Sequence, residues 1–304
     1  MKVISHSADA DGILSAYLVA RKFNLVSEDD FIMTDYGKHT DFLSKISPGE
    51  KVVICDFGLE NKVEDMKKLL EITKDVVWID HHESTIKEYG EFGESIPGLR
   101  SVGTAACMLT YIYFYIFEDY YYYYKCGKIT LEEYQCQAFY NEAPQLVILV
   151  HDYDVWKFKY EHTEAFKLGL DIQNITSPLD RRWDDLYEDE NYIKNIIEQG
   201  KYVISYRNSI GKRACNNYGF ECEINGKKGF ALNNVFGGSP WFVDKIKEYD
   251  FVCSFFYIAE SKQWEYSFYS EKEDVSCYEL AKFVDPKGGG HKGAAGCVTD
   301  KFIF

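Results

Sequence analysis

Short apolar runs alternate with amphipathic stretches through the first two-thirds of the chain. Lys2–Ser5, Lys51–Cys55 and Asp75–Ile79 are brief and mostly apolar or β-branched, which predicts buried strands. Ile13–Phe23 and Val63–Ile72 place their apolar residues at helical spacing. Gly103–Tyr124 reads as a helix with aromatic residues on several faces, and the tyrosine run Tyr120–Tyr124 as a packed part of it. Leu146–Val150 is apolar but so short that periodicity does not choose between a strand and a buried helix. Strands alternating with helices predict an α/β fold built on a parallel sheet.

From Glu188 to about Asn217 the chain is polar, helical in spacing and free of any sharp Pro/Gly break, as expected of a connecting helix. A smaller unit follows. Phe220–Ile224 and Gly229–Asn233 flank Asn225-Gly226, a strong hairpin-turn signal. Phe251–Ile258 and Trp264–Tyr269 read as strands, Trp241–Lys247 and Ser276–Phe283 as helices, and Gly288-Gly289-Gly290 as the opening of a loop. The expected organisation is a parallel-sheet domain over 1–187, a helical linker over 188–217 and a smaller α/β domain over 218–304.

Composition narrows the partners. With 34 Lys+Arg against 49 Asp+Glu in 304 residues, the net charge is −15, a poor match for a long polyanion, which selects a basic face. Long nucleic acid is therefore not an expected partner. The most apolar stretch, Ala105–Phe117, is shorter than the roughly 20 residues a membrane helix needs, and Met1–Ile4 leads directly into polar residues, so neither membrane span nor signal peptide is expected. Nine cysteines without a C-x-x-C spacing fit reduced thiols in a cytoplasmic protein.

The chemistry gathers where the apolar runs stop. Val3-Ile4-Ser5 ends at His6, with Asp9 and Asp11 just beyond; Val52–Cys55 ends at Asp56; Val76–Ile79 ends at Asp80-His81-His82; Leu146–Val150 ends at His151, with Asp152 and Asp154 following. In an open α/β sheet the strand carboxyl ends share one edge, where ligands bind. Carboxylates crowded there repel and take up protons unless cations intervene. Asp oxygens and His nitrogens without Cys suit Mn²⁺, Mg²⁺ or Fe²⁺, and four or five carboxylates offset about two divalent ions, a paired site roughly 3.5–4 Å across.

H-S-A-D-A-D-G (6–12), V-V-I-C-D (52–56), D-H-H (80–82) and H-D-Y-D-V-W (151–156) resemble the four motifs of the DHH phosphoesterase superfamily, and G-G-G-H-K-G-A-A-G (288–296) resembles the signature of the accompanying DHHA1 domain. The pattern is most similar to nano-RNases of the B type, the oligoribonucleases. The resemblance implies two divalent ions, with Mn²⁺ the expected metal. His6, Asp9 and Asp56 would hold the first. Asp11, Asp56, His81 and one acid of the fourth motif would hold the second; Asp154 is preferred because D-x-W is the recurring element, with Asp152 the alternative. Asp80 would orient an imidazole and His82 would face the substrate phosphate. The second domain would bind substrate through Gly288, Gly289, Gly290, His291 and Lys292; if Ala294 starts a helix, its N-terminus also favours an anion. Tyr269 of Ser267–Ser270 stands where related domains carry an Arg, and the His6-to-Asp9 spacing is one residue off that of some relatives.

The implied activity is hydrolysis of short oligoribonucleotides, about two to five nucleotides long, by a water activated between two metals. Related alternatives are cyclic or linear dinucleotides and 3′-phosphoadenosine phosphate. A non-enzymatic RNA-binding module is the reading from another class, and a homodimer is compatible with either.

Overall fold

A computed structural model of the chain describes residues 1–38, 41–116, 143–236 and 238–304. It divides into two compact units, Met1–Lys201 and Tyr202–Phe304. The division falls inside the helix Glu190–Tyr218, which the polar stretch after Glu188 forms.

In the first unit, strands β1 (Lys2–His6), β2 (Phe31–Thr34), β3 (Val52–Cys55) and β4 (Val76–Ile79) form a sheet in the order β2-β1-β3-β4, parallel throughout. Successive side chains point to opposite faces. Val3, Val53, Cys55, Val77 and Ile79 enter one apolar core, and Ile4, Val52, Ile54, Val76 and Trp78 enter another. Both faces are covered, which is why these strands read as continuous apolar runs rather than alternating ones. The free edge of β4 is closed by the following chain: Trp78 N–H donates to the Pro97 carbonyl, and Arg100 donates to the Trp78 carbonyl at 2.9 Å.

Helices α1 (Ala10–Phe23), α2 (Lys62–Ile72), α3 (Glu83–Glu94) and α4 (Ala106–Tyr111) follow or flank these strands. Past α4 the chain continues as one π-helical segment, Ile112–Ile116; the rest of the expected 103–124 helix, including the tyrosine run, lies outside the described residues. The ambiguous Leu146–Val150 lies in a helix, Gln145–Asp154, entered from Pro144. The fourth motif therefore closes a helix rather than a strand. Strand β2 was not expected from the sequence.

The second unit carries a six-stranded sheet in the order β5-β6-β7-β8-β10-β9, built from β5 (Phe220–Ile224), β6 (Lys227–Asn233), β7 (Phe251–Ile258), β8 (Gln263–Tyr269), β9 (Gly289–Gly290) and β10 (Ala294–Thr299). Asn225 and Gly226, both at positive φ, make the β5–β6 turn, and only the β6–β7 pair is parallel. Helix Cys277–Val284, capped by Ser276, packs Leu280 and Ala281 onto Phe251, Tyr266 and Phe268. Two expectations are corrected here. Trp241–Lys247 is not one helix: a 3₁₀ turn, Ser239–Phe242, and a short helix, Lys245–Glu248, are separated by Val243 at φ +50°. Ala294 begins strand β10, paired on both sides, and not a helix, so no helix N-terminus stands there to attract an anion.

Candidate metal centre

The carboxyl edge of the first sheet collects the expected groups. β1 ends in His6, and Asp9 caps α1 by accepting the Gly12 N–H at 3.1 Å. Gly12 is required by close approach: a Cβ there would lie 2.3 Å from the His6 carbonyl oxygen. Asp11, in the first turn of α1, is buried and accepts the Ala106 and Cys107 amides at 2.8 and 2.7 Å, so it also anchors the start of α4. Asp56 follows β3 in a left-handed conformation (φ +54°) and is 2% exposed. Such a backbone is costly for a non-glycine residue and is found preferentially at functional sites.

These groups converge on Asp56. One of its oxygens, Oδ2, lies 3.7 Å from His6 Nδ1, which in turn is 3.5 Å from Asp9 Oδ2. The other, Oδ1, lies 3.3 Å from His81 Nε2 and 3.8 Å from His82 Nδ1. His81 Nε2 is also 3.6 Å from Asp154 Oδ2 and 3.8 Å from Asp11 Oδ2. Three overlapping sets result, His6/Asp9/Asp56, Asp11/His81/Asp154 and Asp56/His81/His82, each with donor atoms within 4.8 Å of one another. Most of these separations are too long for hydrogen bonds. They suit donors spaced around a shared cation.

The fit to a cation rests on unpaired atoms. His6 Nδ1, Asp56 Oδ1 and Asp154 Oδ2 are buried and have no hydrogen-bond partner among the described residues, whereas buried polar atoms are nearly always paired. Asp56 turns one oxygen toward each histidine set, the arrangement a bridging carboxylate needs.

The supporting contacts set the imidazoles. His6 Nε2 is 2.9 Å from Asp35 Oδ1, leaving Nδ1 to face Asp56 and Asp9. Asp80 Oδ1 lies 2.7 Å from His82 Nδ1 and accepts the main-chain N–H of both His81 and His82. The electrostatics are those of an acid pocket. Asp56, then Asp9 and Asp35, hold His6 up at about 11. Burial works to lower His81, but Asp56, Asp11 and Asp154 outweigh it and hold it at about 9. Asp80 raises His82. Burial pushes Asp154 up to about 6, with His81 opposing and Asp56 adding to the rise. Burial, with Asp56 and Asp154 nearby, also raises Asp11. A cation binding here displaces protons from the imidazoles.

Asp152 does not join the cluster. Its carboxylate is 1% exposed and accepts the Lys159 and Tyr160 amides at 3.0 and 3.1 Å and the Thr163 hydroxyl at 2.5 Å. The Ala105 amide donates to Nδ1 of buried His151 at 3.1 Å, and burial lowers that imidazole to about 4. Between the two acids of the fourth motif, Asp154 is the one that faces the cluster, with Oδ2 3.6 Å from His81 Nε2. Asp35 was missed from the sequence, although its signal is the familiar one: an apolar run, Phe31–Thr34, ending in an acid.

The glycine signature lies in the second unit. Gly288 packs under the helix Cys277–Val284, with a Cβ placed 2.6 Å from the Ala281 carbonyl oxygen, and Gly290 (φ +133°) would meet Ala295 Cα at 2.5 Å. Gly289 has open space, His291 and Lys292 are exposed, and the His291 N–H donates to the Ala294 carbonyl across the turn. Tyr269 is in β8, and its hydroxyl accepts the Gly238 N–H at 3.0 Å.

Among solved structures, the chain is similar to a pGpG-specific phosphodiesterase, PggH, from Vibrio cholerae (TM-score 0.53, 10% identity, covering 98% of this chain and 93% of that one). It is also similar to the DHH domain of a protein described as a member of a family of ribosomal proteins (TM-score 0.54, 16% identity, 98% and 82%). At these identities the likeness is one of fold. No curated protein matches the chain. Residues 2–130, which carry the first three motifs and the four-stranded parallel sheet, match the model for the DHH family, N-terminal domain.

Proposed function

We propose that the protein is a metal-dependent phosphodiesterase acting on short oligoribonucleotides, two to about five nucleotides long. The observation that carries this reading is the split of the Asp56 carboxylate between two histidine-containing sets, each with unpaired buried donor atoms. His6, Asp9 and Asp56 would hold one divalent ion, and Asp11, Asp56, His81 and Asp154 a second. Bound Mn²⁺, or Mg²⁺ or Fe²⁺ in its place, supplies Lewis acidity and lowers the pKa of a coordinated water.

The chain's own groups do the rest. Asp80 Oδ1 lies 2.7 Å from the His82 ring nitrogen Nδ1 and accepts the main-chain N–H of His81 and His82, so one oxygen holds the ring and the turn that carries it. His82, 37% exposed at its side chain and held through Nδ1, would offer Nε2 to a phosphoryl oxygen. Asp35 holds the His6 ring, and the α4 amides hold Asp11, so both are preorganised without relying on a cation. The net charge of −15 favours a short substrate over a long polyanion. Gly289, His291 and Lys292 remain the proposed substrate contacts of the second unit.

A linear dinucleotide is the second reading, favoured by the fold likeness to a pGpG-specific phosphodiesterase. Incubation with Mn²⁺ and a 5′-labelled dinucleotide, a pentanucleotide, a cyclic dinucleotide and 3′-phosphoadenosine phosphate separates the alternatives. Turnover of both linear substrates is expected. Turnover of the dinucleotide alone selects the second reading, and no turnover of either removes both.

A further inference from the structure

Next to the acid cluster lies a cavity of about 210 Å³ whose walls are largely apolar. Asp9, Asp11 and Asp154 line it on the side of the candidate metal centre; Val150, Phe166 and Leu170 are its apolar lining, and Tyr153, Trp156 and Lys167 complete it. Trp156 is 60% exposed and Phe158 39% exposed, unusual for large aromatic groups beside a polar site. The rings of Tyr153, Trp156 and Phe158 contact one another edge-on, with centroids 4.6 to 5.6 Å apart.

The backbone holds these rings out at some cost. Trp156 (φ +56°) and Phe158 (φ +47°) both sit in the left-handed region, which L residues with bulky side chains avoid. Asp152 maintains this turn. Its carboxylate accepts from Lys159, Tyr160 and Thr163, and its carbonyl accepts the Lys157 N–H at 3.0 Å. A buried carboxylate beside the cluster is thus committed to shaping the segment that displays Trp156, while Asp154, on the same helix end, turns to the cluster.

We propose that Trp156, backed by Tyr153 and Phe158, is the stacking wall of a nucleobase subsite, and that the adjoining cavity seats one base of the substrate while its phosphate lies at the acid cluster. The inference rests on the nucleotide-substrate reading above. The cavity's apolar lining offers contact rather than base-specific hydrogen bonding, since the Lys167 ammonium on its wall is engaged by Asp171 at 2.6 Å. The subsite therefore selects for the presence of a base and discriminates weakly among bases.

The test uses the full chain with Mn²⁺ and compares wild type with Trp156→Ala, Trp156→Gly and Trp156→Phe on a dinucleotide and on its two singly abasic analogues. Glycine removes the ring but relieves the left-handed backbone, so it separates loss of stacking from damage to the turn. Trp156→Ala and Trp156→Gly are both expected to raise KM for the dinucleotide about ten- to a hundredfold with kcat within about threefold, and Trp156→Phe to retain most of the affinity. One abasic analogue should bind the wild type as weakly as the intact dinucleotide binds Trp156→Ala, and should be insensitive to the substitution. If KM is unchanged in Trp156→Gly, or if kcat falls without a change in KM, the subsite is overturned while the phosphodiesterase reading stands. If wild type turns over no nucleotide, the functional reading falls and takes the base ligand with it.

Discussion

Oδ1 of Asp35 lies 2.9 Å from Nε2 of His6, so the ring presents Nδ1 to Asp56 and Asp9. A carboxylate on the far nitrogen fixes both tautomer and ring plane, and raises the basicity of the nitrogen left for a cation. Asp35→Ala should weaken divalent-ion affinity about 10- to 100-fold at one of the two proposed sites, leaving the other nearly intact. Titration of Mn²⁺ followed by EPR reads both sites. Equal weakening of both, or of neither, contradicts the assignment of Asp35 to His6.

Asp56 faces both histidine sets through different oxygens. Asp56→Ala should therefore abolish turnover and remove both ions, not one. An active variant that still carries two metals per chain would show that Asp56 is not the bridge.

The two acids of the fourth motif should separate cleanly. Asp152→Ala strands three donors around a buried site and should cost about 1–3 kcal/mol of stability, while metal stoichiometry stays at wild-type level. Asp154→Ala should reduce metal binding with little loss of stability in chelator. Urea unfolding and metal analysis on the same preparations check both halves; the reverse pattern would make Asp152 the ligand.

Asp154 also governs a pH effect in metal-free protein. Its folded pKa, pushed up to about 6 by burial, lies above the ~3.9 of an unfolded aspartate. The folded state then binds more protons than the unfolded one between these values, so the stabilising contribution is complete below pH ~3.9 and is lost as pH rises through 6. In EDTA, the Tm advantage of Asp154→Asn over wild type should grow from pH 4 to pH 7 and then level off. A difference in Tm that is flat with pH would mean that Asp154 is not held in its raised state.

Much of this was readable in advance because buried parallel strands leave an unmistakable trace. Both faces of β1, β3 and β4 meet apolar cores, so each appears as an uninterrupted apolar run, and the residue that ends the run is the one at the sheet's carboxyl edge. The same logic applies to Asp35, which was missed because Phe31–Thr34 follows an acidic stretch and carries no helix-like partner to advertise it. Leu146–Val150 was ambiguous because all five residues are apolar, so no polar face gives a period to read, whether strand or helix. The Ala294 segment failed for the opposite reason: small residues carry little periodicity, and its strand state comes from ladders to β8 and β9, both distant in sequence or set by a turn.

Residue types and their order thus determined by themselves that acids and imidazoles would meet at one sheet edge, since that follows from local hydrophobic patterning. Which oxygen faces which nitrogen was decided only by the tertiary structure. Asp152 and Asp154 are separated by a single residue at one helix end, and a rotation of about 200° between them sends one carboxylate to backbone amides and the other to the cluster. That choice depends on packing partners contributed by remote segments, and no local signal encodes it.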